Sequence, residues 1–167
     1  MIYEYSIKDL ANILNVINDA ALKYKGVIPD DCWHEPYMSA EELINEFDNG
    51  VRMFGYDKDN LLLGVMGIQV LEGVTLIRHA YTLTSYQGLG TGRALLQYLF
   101  HINESPTLLV GTWQDATWAI RFYLNNGFVL HSRQQTDELL RKYWQVPSKQ
   151  MENSVVLQKQ IDLSTTS

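Results

Sequence analysis

The sequence lacks most of what would tie a chain to a compartment, a metal or a polymer. Cys32 is its one cysteine, so no intrachain disulfide is available, and the ordinary reading of that residue is a half-buried thiol. There is no Cys/His cluster at metal-ligand spacing. His34, His79, His101 and His131 are scattered, and no metal is expected. Positive charge is not in excess: 13 Lys and Arg stand against 19 Asp and Glu, for a formal net charge of −6. That balance argues against a broad nucleic-acid footprint. No apolar run approaches the ~20 residues that span a bilayer. The opening Met1-Ile2-Tyr3-Glu4-Tyr5 has neither the basic region nor the long apolar region of a signal peptide. The expectation is therefore no nucleic-acid partner, no membrane association and a cytoplasmic location. Internal repeats, low-complexity runs and linkers are absent as well. At 46% hydrophobic content, 167 residues can build one compact domain. We expect it to cover residues 1–162, with 163–167 as a frayed tail.

What is present is a series of well-punctuated elements. Residues 2–6 alternate as a short strand, and Leu10, Ile13, Leu14, Ile17 and Ala21 share one helical face. Ser6 with Asp9, and later Ser39 with Glu42, have capping-box spacing at two helix starts. Residues 51–57, 61–72 and 74–83 read as strands joined by turns at Asp57–Asn60 and Gly73, an antiparallel meander. A glycine-rich turn at 87–92 leads into a helix carrying Leu95, Leu96, Leu99 and Phe100. Residues 107–112 read as a buried strand. Asp115 is placed to cap the next helix, and Gly127 to stop it. Strands at 128–132 and 154–161 close the chain, with a short helical turn at Asp137–Tyr143 between them. This order predicts an α/β (α+β mixed sheet) fold: a central, mostly antiparallel sheet with helices on both faces.

The turn Gln87-Gly88-Leu89-Gly90-Thr91-Gly92 lies between a strand and a helix. Glycine permits positive φ and close approach of a ligand to the backbone. The first amides of the following helix lack internal partners and sit at the positive end of its dipole. Such a unit can cradle a diphosphate, although a tight turn that binds nothing has the same local pattern. There is no Gly-Lys-Ser/Thr ending, so a P-loop is excluded. The preceding meander and the glycine spacing also disfavour a dinucleotide fingerprint.

Gln87-x-x-Gly90-x-Gly92 resembles the Gln/Arg-x-x-Gly-x-Gly/Ala pyrophosphate signature of the GNAT superfamily of N-acetyltransferases. Ala119-Ile120-Arg121-Phe122-Tyr123 and Gly127-Phe128 are similar to a second segment of that family, at the family's distance from the first. Two departures stand out. Thr82-Leu83-Thr84-Ser85-Tyr86 replaces the frequent Val-x-Pro-x-Tyr, and Ala116 stands where many members carry a coenzyme A-contacting Asn. The resemblance implies a GNAT-like acyl-CoA N-acyltransferase fold, acetyl-CoA as cosubstrate and acetyl transfer to a primary amine of a small molecule or peptide. It leaves a homodimer open.

The resemblance also implies roles for individual residues. The diphosphate would rest on the amides of Leu89, Gly90, Thr91 and Gly92, with Gln87 and Gly88 completing the turn. The strand at 80–84 would bulge away from the one near 109–112, leaving a V-shaped gap for the acetyl group, and the Leu83 amide would polarise the thioester carbonyl. Tyr123 takes the position of the general acid for the departing thiolate; by spacing alone it is a core aromatic. Free alkylamines titrate near ~10.4, so the amine must be deprotonated on the enzyme. His79 is the nearest group able to accept a proton at neutral pH, with a structural histidine as the alternative. Arg78 could instead meet an acidic part of the acceptor. Tyr24, Trp33, His34, Glu35, Tyr37, Trp113, Tyr143 and Trp144 are the candidate acceptor walls, suited to an amine with an apolar body. Two readings of other classes compete: a catalytically silent coenzyme A-binding module, and a binding protein whose glycine turn is only structural.

Overall fold

Both capping boxes form. Asp9 Oδ2 accepts from the Ser6 N–H at 2.9 Å and starts a 3-10 turn that runs into α1 (Leu10–Ala21). Ser39 Oγ accepts from the Glu42 N–H at 3.1 Å and starts α2 (Ala40–Asp48). The computed structural model describes residues 1–163, so most of the expected tail, 164–167, lies outside the described residues. The remaining elements are β1 (Ile2–Tyr5), β2 (Arg52–Lys58), β3 (Leu61–Leu71), β4 (Val74–Thr82), α3 (Thr91–Ile102), β5 (Thr107–Trp113), α4 (Thr117–Asn125), β6 (Val129–Leu130), α5 (Arg133–Tyr143), α6 (Ser148–Glu152) and β7 (Ser154–Gln160).

The strands make one mixed sheet in the order β1-β2-β3-β4-β5-β7-β6. The β4–β5 pair is parallel and the others are antiparallel. On one face, Ile13 and Ile17 of α1 and Leu43 of α2 pack on Met53 and Val65, while Leu140 of α5 packs near Leu76 and Leu109. On the other, Leu95, Leu96 and Leu99 of α3 join Phe54, Met66 and Ile77, with Tyr123 of α4 at the edge of the same cluster.

Two irregularities position the site. Parallel pairing of β4 with β5 stops at Ile77↔Val110. Past that point Gly111–Trp113 pairs with β7, and Tyr81 and Thr82 pair with β3, so the strands separate. The register against β3 also slips: Gly67 faces Arg78 but Val65 faces Tyr81. His79 and Ala80 thus stand opposite Met66 as a bulge, with His79 at φ 56°.

Three sequence expectations are corrected. The segment after β6 holds an eleven-residue helix, α5, rather than a turn at 137–143. Its start was encoded by Ser132, whose side chain accepts from the Gln135 N–H at 3.2 Å. The strand expected at 128–132 is reduced to Val129–Leu130. Ala116, not Asp115, occupies the α4 N-cap, and no side chain caps that helix.

Candidate functional site

The glycine turn is held by its neighbours. The Thr84 N–H donates to Asp19 Oδ2 of α1 at 2.7 Å, and Gln87 Nε2 donates to the Thr82 carbonyl at 3.1 Å. The Gln87 amide therefore braces the strand end. Gly88 (φ 79°) and Gly90 (φ 89°) reverse the chain, and an added Cβ at either would meet nothing within 4 Å. The cradle is open. The Ala94 N–H reaches Gly90 O at 3.0 Å, and no side chain caps α3, so the amides of Thr91, Gly92 and Arg93 are free to face a ligand.

A cavity of about 400 Å³ lies over this helix start, lined by Thr82, Gln87, Gly88, Gly90, Thr91 and Gly92 of the turn and by Phe122 and Tyr123 of α4. Lys23 and Arg93 also line it and bring positive charge to this helix start. Sequence reasoning missed both; Arg93 was open to notice as the first-turn cation after the glycines. Leu89 sits at the turn apex with 74% exposure and outside the cavity wall. The role expected for Leu83 is corrected: its N–H donates to Leu63 O at 2.8 Å and belongs to the sheet. Strand alternation turns the Thr82 amide the opposite way, into the β4–β5 gap, where the Thr82 carbonyl already meets Gln87.

A second cavity, about 480 Å³, opens on the other side of the gap. Of the expected walls, Tyr24, His34, Tyr37, Trp113 and Trp144 line it. Trp33 stacks on Tyr37 from behind, with ring centroids 5.7 Å apart. Glu35 instead pairs with Lys25 at 3.1 Å, and Tyr143 packs in the α5 cluster. The two cavities share Tyr24, Ala80, Tyr81, Ala119 and Tyr123, which form the neck between them.

The neck is lined by neutral phenols. Burial pushes Tyr24 up to about 12, and Tyr37 adds to the effect. Burial also raises Tyr37, and raises Tyr81 well above the ordinary phenol value. Trp113 Nε1 donates to Tyr37 Oη at 3.0 Å and fixes that ring. Tyr123 is 4% exposed; burial, then proximity to Tyr24, raises its phenol. Its ring is edge-on to Phe122 and Phe128, at 5.1 and 5.2 Å, and its hydroxyl makes no hydrogen bond among the described residues.

His79 lines the second cavity, and its Nε2 lies 3.1 Å from Glu46 Oε2 of α2. Burial alone would raise the Glu46 carboxyl, but His79 and then Arg78, 3.6 Å away, outweigh it and hold the group below the usual carboxylate value. A lowered folded value stabilises the protein above the ordinary value near 4.5, and the contribution is lost as pH falls through the folded value. Wild type should therefore lose stability faster than Glu46→Gln on acidification below about 4.5, as read by urea midpoints at stepped pH. Parallel curves for the two proteins would remove the carboxylate from the balance.

Ala116 is fully buried beside Ala21, Tyr24 and Trp113 and lines neither cavity. As the α4 N-cap it has no side-chain acceptor to offer the first turn of the helix.

The family model "Acetyltransferase (GNAT) domain" matches residues 49–130, from the turn before β2 to β6. Solved structures share the fold along nearly the whole chain. The PaiA N-acetyltransferase of Thermoplasma acidophilum, solved with coenzyme A, is 18% identical over 96% of this chain and 98% of its own, at a TM-score of 0.74. A GNAT-family acetyltransferase from Staphylococcus aureus Mu50 is 15% identical over 97% and 99%, also at 0.74. The ribosomal-protein-S18-alanine N-acetyltransferase of Escherichia coli is 17% identical over 98% and 94%, at 0.72. No curated protein matches by sequence. Residues 49–130 thus match the GNAT acetyltransferase domain, and the chain as a whole has the GNAT-like acyl-CoA N-acyltransferase fold.

Proposed function

We propose that this protein transfers an acetyl group from acetyl-CoA to an amine by direct attack in a ternary complex. One observation carries the reading: two cavities, one over an uncapped helix start and one walled by aromatics, meet at the neck where β4 and β5 separate. Acetyl-CoA supplies an activated acetyl thioester. The free amides at 91–93, with Lys23 and Arg93, hold the diphosphate. Backbone groups from Ala80 to Thr82, rather than Leu83, bind along the gap and polarise the carbonyl. Tyr24, Tyr37 and Trp113 orient the acceptor, and much of the rate comes from that positioning. His79 accepts the amine proton, and the Tyr123 hydroxyl faces the departing sulfur.

The test is thiol release from acetyl-CoA across a panel of alkylamines, arylalkylamines, amino acids and short peptides. Amine-dependent release is expected for at least one class. Binding measured by calorimetry without release on any amine would instead identify a silent coenzyme A-binding module. No binding at all would leave the glycine turn a purely structural one.

A further inference from the structure

We propose that Glu46 is a positioning residue that holds the His79 imidazole with its proton on Nε2, leaving Nδ1 to take the proton of the acceptor ammonium. The inference rests on the acetyltransferase reading above.

The geometry is unusual for a strand. Consecutive strand residues normally point to opposite faces, so Arg78 and His79 should not meet the same partner. The bulge removes that alternation. With His79 at φ 56°, both side chains turn toward α2 and reach Glu46 Oε2, at 3.6 Å from Arg78 Nε and 3.1 Å from His79 Nε2. Positive φ in a non-glycine strand residue costs free energy, and such strain is kept where surrounding structure enforces it. His79 is 14% exposed at its side chain. Its Nε2 is sealed from solvent and makes no well-aligned hydrogen bond, and the Glu46 Oε2 carboxylate oxygen lies 3.1 Å from it. Nδ1 makes no hydrogen bond among the described residues, and the residue lines the acceptor cavity.

The surroundings favour this arrangement. Glu46 is held ionised, and Arg78 is fixed on its far side by donating to Gln69 Oε1 at 3.0 Å. The other charged or titratable groups lining this cavity are Glu42 from α2, His34 and Tyr37 from the loop before it, Cys32, and Tyr24, Tyr81 and Tyr123 at the neck. Glu42 is engaged as the α2 capping box, and the His34 Nδ1 lies 2.8 Å from Pro36 O. The phenols that titrate here are raised and stay neutral. A carboxylate on one ring nitrogen fixes the tautomer and makes the other nitrogen the better base.

The proton balance closes. Nδ1 takes one proton from the ammonium and passes it to water in the cavity. The freed nitrogen lone pair attacks the thioester carbon, the C–N bond forms and the C–S bond breaks. The second proton leaves the nitrogen as the amide forms and offsets the one taken up by the thiolate.

Two readouts test this. Long-range ¹⁵N histidine NMR reports the tautomer without any acceptor: wild type should show His79 protonated on Nε2, and Glu46→Gln should lose that preference. The second readout compares benzylamine, mostly protonated at pH 7, with hydroxylamine, which is already neutral. Glu46→Gln and His79→Gln should lower kcat for benzylamine by about 10²-fold, while hydroxylamine transfer stays within about threefold. Glu46→Asp should recover part of the benzylamine rate. Equal losses on both amines would reduce Glu46 to a structural role and overturn the proposal, as would a wild-type His79 protonated on Nδ1. If wild type transfers acetyl to neither amine nor to any in the panel, the acetyltransferase reading fails by itself. The tautomer in wild type and Glu46→Gln then still decides whether Glu46 positions His79.

Discussion

Gly92→Val should abolish acetyl-CoA binding, with an affinity loss of at least about 10²-fold, while leaving the fold intact. Gly92 is the second residue of α3 and has ordinary helical φ, so a side chain here adds no backbone strain. A Cβ at this position would sit 3.5 Å from the Phe122 ring, an ordinary contact. Helical Cβ atoms lean toward the N-terminus, so a branched side chain would lean into the proposed anion seat. Gly→Ala in a helix interior gains about 1 kcal/mol, and valine retains part of that, so stability should hold or rise. Gly90→Val is the poorer test: at φ 89° a side chain is strained, and lost binding could come from a deformed turn. Calorimetry with acetyl-CoA, beside thermal melts, reads the two effects separately. Wild-type affinity in Gly92→Val would move the diphosphate away from this helix start.

What could be read from the sequence was what short spacings encode. Ser6-Asp9 and Ser39-Glu42 announce helix starts because each box closes within one turn. Asp59 and Asn60 turn the β2–β3 hairpin with φ 53° and 64°, as their residue types suggest. The glycine turn is local in the same way, and its residues lie around one cavity, apart from Leu89. The features that were missed depend on distant partners. Glu46 meets His79 only because β4 bulges, and nothing in Arg78-His79-Ala80 marks the slip of one residue against β3. Leu83 was misread for the same reason: which edge an amide faces is set by register, and register here is fixed by Leu63 across the sheet. The insertion of β7 between β5 and β6 is likewise a pairing choice with no local signature. The polar helix α5 hides because only Leu139 and Leu140 of its span are large aliphatic residues, too few for a helical stripe.

Tyr123→Phe should lower kcat by about 10²-fold or somewhat less, with acetyl-CoA affinity and stability nearly unchanged. The hydroxyl has no hydrogen-bond partner in the protein among the described residues, so its removal leaves no orphaned group. Phenylalanine keeps the edge-on contacts with Phe122 and Phe128. The size of the rate effect follows from the acidity of the phenol. Burial, then Tyr24, raises Tyr123 above the ordinary phenol value, while a thiol titrates near ~8.5. Complete proton transfer from this phenol to the thiolate is uphill, so the hydroxyl contributes mainly as a hydrogen-bond donor to charge developing on sulfur. General acid catalysis spans about 10²–10⁴-fold, and this mismatch puts Tyr123 at the low end. The raised phenol also stays protonated across the neutral range, so the wild-type rate should show no basic limb from Tyr123 near pH 9. A more acidic leaving thiol depends less on the donor. The kcat deficit of Tyr123→Phe should therefore shrink with an acyl thioester of lower leaving-group basicity. A deficit that is the same for both thioesters, under conditions where chemistry limits the rate, would place Tyr123 in the wall of the neck and outside the chemistry.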